Sequence, residues 1–311
     1  MNFRTEIPIT SANWNLDHSA KLMVYGSCFA QRIGSWLNDY RFQINLNSHG
    51  IIFHPIALAR GIQRAVDALP YTEQDLLLNN GLYASLDHHG SFSAGNAQDA
   101  LSKMNAQLSA ASSFLQSANV MVVTWGSAWA YEHLHSGRIV ANCHKLPQAD
   151  FRKVLVDHEA IFQSWFNVVQ SLRQLNPGLR FIFTVSPVRY LRDGAHGNQL
   201  SKAHLLLAAE RLTESLPNVS YFPAYEIVLD ELRDYRFYSE DMLHPSQQAV
   251  DYIIEKFQHM YLTDGCRETI SKMESMVKFL RHRPLHLDEA DWNQAKASKT
   301  KQMDELIQSV S

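Results

Sequence analysis

The chain has 311 residues, of which 46% are apolar and 19% charged, a balance that allows a large buried core and excludes a disordered or low-complexity protein. It carries 28 basic and 31 acidic side chains, for a net charge of −3, and no long basic run lies in the first 260 positions, which argues against nucleic acid as a partner. The sequence contains neither an apolar segment of about 18 residues nor a secretory leader, so we expect a cytoplasmic protein that does not enter a membrane.

Short apolar runs alternate with longer stretches of helical periodicity through most of the chain. This alternation predicts a layered α/β protein built around a mostly parallel sheet. The predicted strands cover residues 22–25, 42–46, 120–124, 180–185 and 219–222. The predicted helices cover residues 28–39, 56–67, 97–116, 157–175, 199–216 and 246–261. Residues 181–185 are apolar except for Thr184, which predicts a central strand that is buried on both faces.

Two segments depart from this alternation. Residues 81–93 and 128–142 have the character of loop or hairpin insertions, which often carry substrate contacts. The composition changes again near residue 265. We therefore predict a catalytic domain over residues 1–264 and a C-terminal helical extension over residues 265–311. The extension is either a peripheral appendage or a helix through which the chain forms a homo-oligomer.

The cysteines and histidines do not form a recognisable metal or disulfide pattern. Cys28, Cys143 and Cys266 are odd in number and far apart, which predicts reduced thiols. The densest of the histidine clusters, at residues 87–89 and 132–135, have neither an HExxH spacing nor a supporting cysteine. Solvated loop histidines explain the same pattern. We predict neither a metal ion nor another cofactor.

A serine and a distant Asp–His pair suggest nucleophilic catalysis. Ser27 lies between the predicted strand at 22–25 and the following helix, where backbone N–H groups and the helix dipole favour negative charge. Asp241 and His244 are three residues apart, so the imidazole can act as a base that the carboxylate orients. The alternative for Ser27 is a helix N-cap. Cys28 is intrinsically the better nucleophile, but a residue after such a serine is expected to turn inward as inert packing.

Further motifs accompany Gly-Ser-Cys-Phe-Ala at residues 26–30, in a fixed order along the chain. They lie at residues 47–50 with 53–55, 125–129, 142–145, 186–189, 198–202 and 240–246. On this set the chain resembles the GSCFA family, over most of its length. That family is similar to the SGNH (GDSL-like) hydrolases and, more distantly, to plant polysaccharide O-acetyltransferases. The resemblance implies a flavodoxin-like, three-layer α/β/α fold of the SGNH-hydrolase type.

The resemblance also implies a layout of the catalytic site. Ser27 matches the nucleophile, and Asp241 and His244 match the acid and the base. The N–H groups of Ser27 and Gly50 match donors of the oxyanion hole. A third donor, the asparagine of a Gly-x-Asn-Asp block, is missing here, and Asn142 is the amide that we expect to replace it.

Other candidates lie where a substrate would bind. Gly126 occupies the position of the glycine in the third block. Arg189 follows the strand at 180–185 and either binds an anionic substrate group or forms a structural ion pair, and His144 has the same two interpretations. Trp125 and Trp129 are either platforms for a sugar ring or core residues.

Together these residues predict a serine esterase. By resemblance, it would hydrolyse a small acyl ester, typically acetyl, of a carbohydrate or other polar alcohol through an acyl-enzyme on Ser27. Two alternatives stay open from the sequence. One is an O-acyltransferase that uses the same Ser-His-Asp site. The other is a ligand-binding protein that keeps the fold without turnover.

Overall fold

The computed structural model describes residues 5–281 and 288–309. Residues 1–4 of the predicted domain, and residues 282–287 and 310–311 of the predicted extension, lie outside the described residues. The strands are β1 (Lys21–Gly26), β2 (Gln43–Leu46), β3 (Leu77–Asn79), β4 (Leu82–Ala84), β5 (Val120–Trp125), β6 (Trp129–His133), β7 (Arg138–Val140), β8 (Phe151–Leu155), β9 (Arg180–Val185) and β10 (Val219–Phe222). The helices are α1 (Cys28–Asp39), α2 (Pro55–Val66), α3 (Ala97–Leu115), α4 (His158–Leu175), α5 (Gly194–Ser215), α6 (Ala224–Glu226), α7 (Gln247–Tyr261), α8 (Asp264–Arg281) and α9 (Glu289–Gln308).

Five of these strands form one parallel sheet in the order β10-β9-β5-β1-β2. Numbered along the chain, these five strands have the order 2-1-3-4-5, which is the flavodoxin-like arrangement. The five predicted strands and the predicted α/β class are confirmed. The predicted centre of the sheet is wrong, because β5 lies there and β9 lies one position from the edge. Burial on both faces identifies an interior strand but does not rank the interior positions.

Alternate residues of the strands enter two separate cores, one on each face of the sheet. In β1, Met23 and Tyr25 join the core formed with α2, α3, α4 and α5, whereas Leu22 and Val24 join the core formed with α1, α7 and α8. This division follows from the two-residue period of side chains along a strand. The sheet is therefore the middle layer of an α/β/α sandwich.

Helix α8 packs into the second of these cores. Ile270, Met273 and Val277 are buried there, together with Cys266. This apolar face of α8 is therefore covered by the chain itself. A homo-oligomer formed through the C-terminal helices stays a prediction. Helix α9 lies against α8 and adds Met303 to the same core.

The regions of the two predicted insertions contain short antiparallel strands. Strands β3 and β4 form a hairpin, and β6 pairs with both β7 and β8 to form a three-stranded sheet. Both units lie outside the parallel sheet. Among the helices within residues 5–281 and 288–309, none is both long and apolar enough to cross a membrane.

Candidate active site

The carboxyl ends of β1 and β5 meet where the strand order of the sheet reverses. From β1 the chain passes to β2 on one side and later crosses to β5 on the other. Open α/β sheets bind ligands in the crevice that such a reversal creates. Gly26 ends β1 at this point and pairs with Thr124, and Ser27 and Cys28 follow as the N-cap and the first residue of α1.

Ser27 is the N-cap of α1, and both its hydroxyl oxygen and its backbone N–H already have hydrogen-bond partners. Its Oγ accepts a hydrogen bond from the Phe29 N–H at 3.3 Å, and its own N–H donates to the Thr124 carbonyl at 3.0 Å. The residue is 1% exposed. The N–H that was predicted to stabilise an oxyanion is thus already paired, and the hydroxyl does not form part of the adjoining cavity wall.

A cavity of about 650 Å³ opens at this edge of the sheet. Its wall includes Cys28 from the start of α1, Gly126 after β5, Ser186 after β9, and His244. The region of β6 to β8 supplies further lining, including Trp129, Ala130, Tyr131, Val140, Ala141, Asn142, Cys143 and Lys153. The residues that line the cavity in the described part of the chain include no aspartate or glutamate.

His244 and Asp241 form the pair that their spacing predicts. The His244 Nδ1 lies 2.6 Å from the Asp241 Oδ2, while the N–H groups of His244 and Leu243 donate to Oδ1 at 3.0 and 2.9 Å. These bonds, the His244 N–H first, lower the pKa of Asp241 to about 2. The carboxylate is therefore charged at neutral pH. With Nδ1–H donated to it, Nε2 keeps a free lone pair and can accept a proton.

The loop that carries the pair is tied to its surroundings through the backbone. The Arg189 N–H donates to the Leu243 carbonyl at 3.0 Å, which joins the loop to the segment after β9. At its base, Tyr238 forms an antiparallel bridge with Pro245. These contacts place His244 against the cavity and leave Asp241 behind it.

The predicted oxyanion donors differ in their availability. The Gly50 N–H closes a turn by donating to the Asn47 carbonyl at 2.7 Å, and Gly50 does not line the cavity. Asn142 does line it. Its Oδ1 accepts from the His144 N–H at 2.8 Å, and its Nδ2 donates to no group among the described residues. The Cys28 N–H also lacks an acceptor on any other described residue.

Only some of the predicted substrate-binding residues line the cavity. Gly126 and Arg189 line the cavity. His144 does not: its Nε2 lies 2.7 Å from the Ser85 carbonyl oxygen, and burial lowers its pKa. Trp125 is fully buried against Trp165 and Phe183. It is therefore a core residue, and its predicted contact with substrate is wrong. The platform alternative fits Trp129, which faces the cavity.

Lys202 is a site residue that the sequence interpretation missed. It is 1% exposed, and its Nζ donates to the carbonyl oxygens of Gly126 and Ser186 at 2.8 and 2.7 Å. It therefore links the ends of β5 and β9 beside the cavity. Burial lowers its pKa to about 7, while the nearby Cys28 raises it. Its position could have been noticed in the sequence, because Lys202 lies on the apolar stripe of α5, three residues before Leu205.

Three buried histidines lie close to this end of the sheet. Burial lowers the pKa of His49 to about 4, of His54 to about 3 and of His88 to about 2. Both ring nitrogens of His88, and the Nε2 atoms of the other two, lack a hydrogen-bond partner among the described residues. Within residues 5–281 and 288–309, no three His, Cys, Asp or Glu side chains are grouped as a metal site requires. The rings are thus neutral and buried in the folded chain.

These histidines are expected to make the fold sensitive to mild acid. Their folded pKa values lie below the unfolded value of about 6.5, so the unfolded chain binds more protons below that pH and stability falls as the pH falls. Each ring contributes about 1.4 kcal/mol per pH unit between pH 6.5 and its folded pKa. Urea unfolding between pH 6.5 and 5 measures the slope. His88→Phe is expected to reduce this slope by up to about 1.4 kcal/mol per pH unit, the contribution of one proton. An unchanged slope would contradict this account.

The strand order and the crevice define a doubly wound α/β protein with a candidate active site at its switch point. The chain belongs to the GSCFA family, whose model matches residues 21–257. A search of the curated proteins gives no significant match.

Among solved structures, similarity is found to carbohydrate esterases. A Clostridium thermocellum family 3 carbohydrate esterase is 11% identical, with a TM-score of 0.35, and the match covers 83% of this chain and 98% of the other. A family two carbohydrate esterase from Clostridium thermocellum, in complex with cellohexaose, is 12% identical, with a TM-score of 0.38 and coverages of 78% and 64%. A family 3 carbohydrate esterase from Talaromyces cellulolyticus is 8% identical, with a TM-score of 0.36 and coverages of 83% and 98%.

Proposed function

We propose that this protein is an esterase that hydrolyses a small acyl ester at the cavity beside α1. The observation that carries the proposal is the His244–Asp241 pair, whose histidine lines a cavity that the start of α1 also lines. A base oriented by a carboxylate, a nucleophile and N–H donors at a helix N-terminus are the groups that acyl transfer requires.

The reaction would proceed through a covalent intermediate. A nucleophile at the β1–α1 turn attacks the ester carbonyl while His244 Nε2 accepts its proton, and Asp241 stabilises the resulting imidazolium. His244 then gives the proton to the leaving alcohol. In the second half, His244 takes a proton from water, which attacks the acyl-enzyme and releases the acid. Ser27 is the nucleophile that the sequence predicts, and its role is taken up in the next subsection.

Two groups are available to stabilise the oxyanion. The Cys28 N–H lies in the first turn of α1, where the helix dipole is positive, and it has no acceptor on another described residue. Asn142 lines the same cavity, and its Nδ2 has no partner among the described residues. Both would donate to the carbonyl oxygen as its charge develops.

The charge of the cavity favours an anionic substrate. Arg189 and Arg192 line it, and neither guanidinium forms an ion pair with any described residue. Lys153 is also at the wall but is paired with Asp193. Trp129 adds an aromatic face suited to a sugar ring. We therefore propose an acetyl or similarly small ester of a polar alcohol, such as a carbohydrate, that carries a carboxylate or phosphate.

Arg189→Met is expected to weaken binding of anionic esters selectively. Loss of a charge-assisted hydrogen bond should raise KM for para-acetoxybenzoate by about 10–100-fold. The neutral isostere para-acetoxybenzamide should be nearly unaffected, because the two esters differ only in charge. Steady-state kinetics of both esters measure this difference. Equal changes in KM for the two would assign Arg189 a structural role instead.

The proposal itself is tested by hydrolysis of acetyl esters with the purified protein. We expect release of acetate that depends on His244. Transfer of the acetyl group to an added sugar, in place of release to water, would identify the acyltransferase alternative. Binding of an acetylated sugar without turnover would identify the ligand-binding alternative.

A further inference from the structure

We infer that the thiol of Cys28, and not the hydroxyl of Ser27, is the nucleophile of this site, so that the acyl-enzyme is a thioester. This inference rests on the proposed ester hydrolysis and names the atom that carries the acyl group. It reverses the sequence-based assignment of the two neighbouring residues.

The first reason is access to the cavity. Cys28 lines the cavity together with His244, whereas Ser27 does not line it and is 1% exposed. A substrate that reaches the base therefore meets the sulfur and not the serine oxygen.

The second reason is the work that Ser27 already does. Its Oγ accepts the Phe29 N–H and its N–H donates to Thr124, so the residue fixes the start of α1 on the end of β1. Turning the hydroxyl into the cavity would break the cap. Cys28 makes no such contribution, and its N–H has no acceptor on another described residue.

The third reason is the electrostatic environment of the sulfur. Burial raises the pKa of the Cys28 thiol, but Lys202 and the N–H groups of Cys28 and Phe29 act in the opposite direction. The thiol is therefore protonated at rest and is placed where a developing thiolate is stabilised. Such a thiol needs a base in the attacking step, and His244 supplies it from the same cavity.

The other two cysteines lack this combination. Cys143 lines the same cavity, but only burial acts on its thiol and raises its pKa to about 11. Cys266 lies in α8 and is buried in the core, and burial raises its pKa to about 12. Cys143 is thus a natural internal control, since it shares the cavity but not the helix N-terminus.

The chemistry balances with water as the second reactant. The Cys28 S–H proton passes to His244 Nε2 as a C–S bond forms at the ester carbonyl. The C–O bond then breaks, and the alkoxide leaves with that proton as the alcohol. Water gives a proton to His244 and its oxygen to the thioester carbonyl. Breakage of the C–S bond releases the acid, and the proton returns to sulfur.

The experiment traps the acyl group. The full chain is mixed with para-nitrophenyl acetate, quenched in acid and digested, and the peptide of residues 22–32 is fragmented to place the acetyl group. We expect it on Cys28, and removable by neutral hydroxylamine, as a thioester is. An acetyl group on Ser27 that resists hydroxylamine would overturn the inference.

Matched variants provide a readout that does not depend on trapping. Cys28→Ala should lower kcat/KM by at least about 10³-fold, and Cys28→Ser should restore part of it. Ser27→Gly should stay within about 3-fold of the parent, because glycine keeps most of the capping stability. The reverse ranking of the Cys28 and Ser27 variants would overturn the nucleophile while leaving the proposed esterase standing.

Alkylation separates failure of the inference from failure of the proposed function. Iodoacetamide should modify Cys28 faster than Cys143, and His244→Gln should slow the modification of Cys28 alone, by about 10-fold. If the parent hydrolyses no ester, the proposed function fails, and this pattern still supports Cys28 as the activated thiol. Equal rates at the two cysteines, unaffected by His244→Gln, would overturn it.

Discussion

His244→Gln is expected to lower kcat for ester hydrolysis by about 10²–10⁴-fold, because glutamine has no ring nitrogen to accept the proton of the nucleophile. Stability should change little, since the side chain is 48% exposed. Glutamine keeps a polar group beside Asp241, which separates loss of the base from loss of the loop structure. Steady-state kinetics and thermal unfolding of the same preparation measure both effects.

His259→Gln is the matched control for this substitution. His259 is 55% exposed on α7, and a carboxylate of Glu255 lies 3.9 Å from its ring. It is not among the residues lining the cavity. The control should retain the activity of the parent. If both variants keep full activity, His244 is not the base and the proposed mechanism is incorrect.

Gly26→Ala is expected to destabilise the fold by roughly 2–5 kcal/mol, the sum of backbone strain and overpacking. Gly26 has φ +132, in a region that L residues rarely adopt. An added Cβ would lie 2.0 Å from the Thr124 carbonyl oxygen and 2.8 Å from its carbon. Both are backbone atoms of β5, so β1 and β5 would have to separate. Urea unfolding gives the change in stability.

Two other glycines separate the causes of this effect. Gly81 has φ +74, but nothing lies within 4 Å of an added Cβ, so Gly81→Ala should show the backbone strain alone, about 1–2 kcal/mol. Gly265 lies in α8, also with open space at the Cβ position, and Gly265→Ala should be neutral or slightly stabilising. A loss at Gly26 no larger than that at Gly81 would contradict the close approach of the two strands.

The sequence predicts the fold well because the parallel strands are apolar runs separated by amphipathic helices. Helix α1 has the predicted bounds, α2 is shifted by one residue, and α3, α4 and α7 each differ from prediction by one residue at one end. The start of α5 is the main miss, at Gly194 and not at residue 199. Its first turn contains two glycines, with Ala195 as its one apolar residue, so it carries no helical periodicity.

The site is less accessible from sequence because it depends on side-chain direction. Asp241 and His244 were found because their interaction is local and follows from three-residue spacing. The choice between Ser27 and Cys28 depends on which of the two side chains faces the cavity, even though the start of α1 was predicted correctly. Spacing cannot fix this, and the motif contains both residues. Trp125 and Trp129 were similarly indistinguishable until β5 placed the first in the core.

The antiparallel unit of β6, β7 and β8 shapes the cavity without supplying the two groups proposed to react in it. It forms one wall of the cavity, whereas Cys28 and His244 come from other segments of the chain. Substitutions or length changes between residues 129 and 155 can therefore reshape what enters the cavity without moving the proposed base or the proposed nucleophile. Related chains with the same Gly-Ser-Cys-Phe-Ala and Asp-x-x-His segments can thus differ in the molecules they accept while keeping the proposed base and nucleophile.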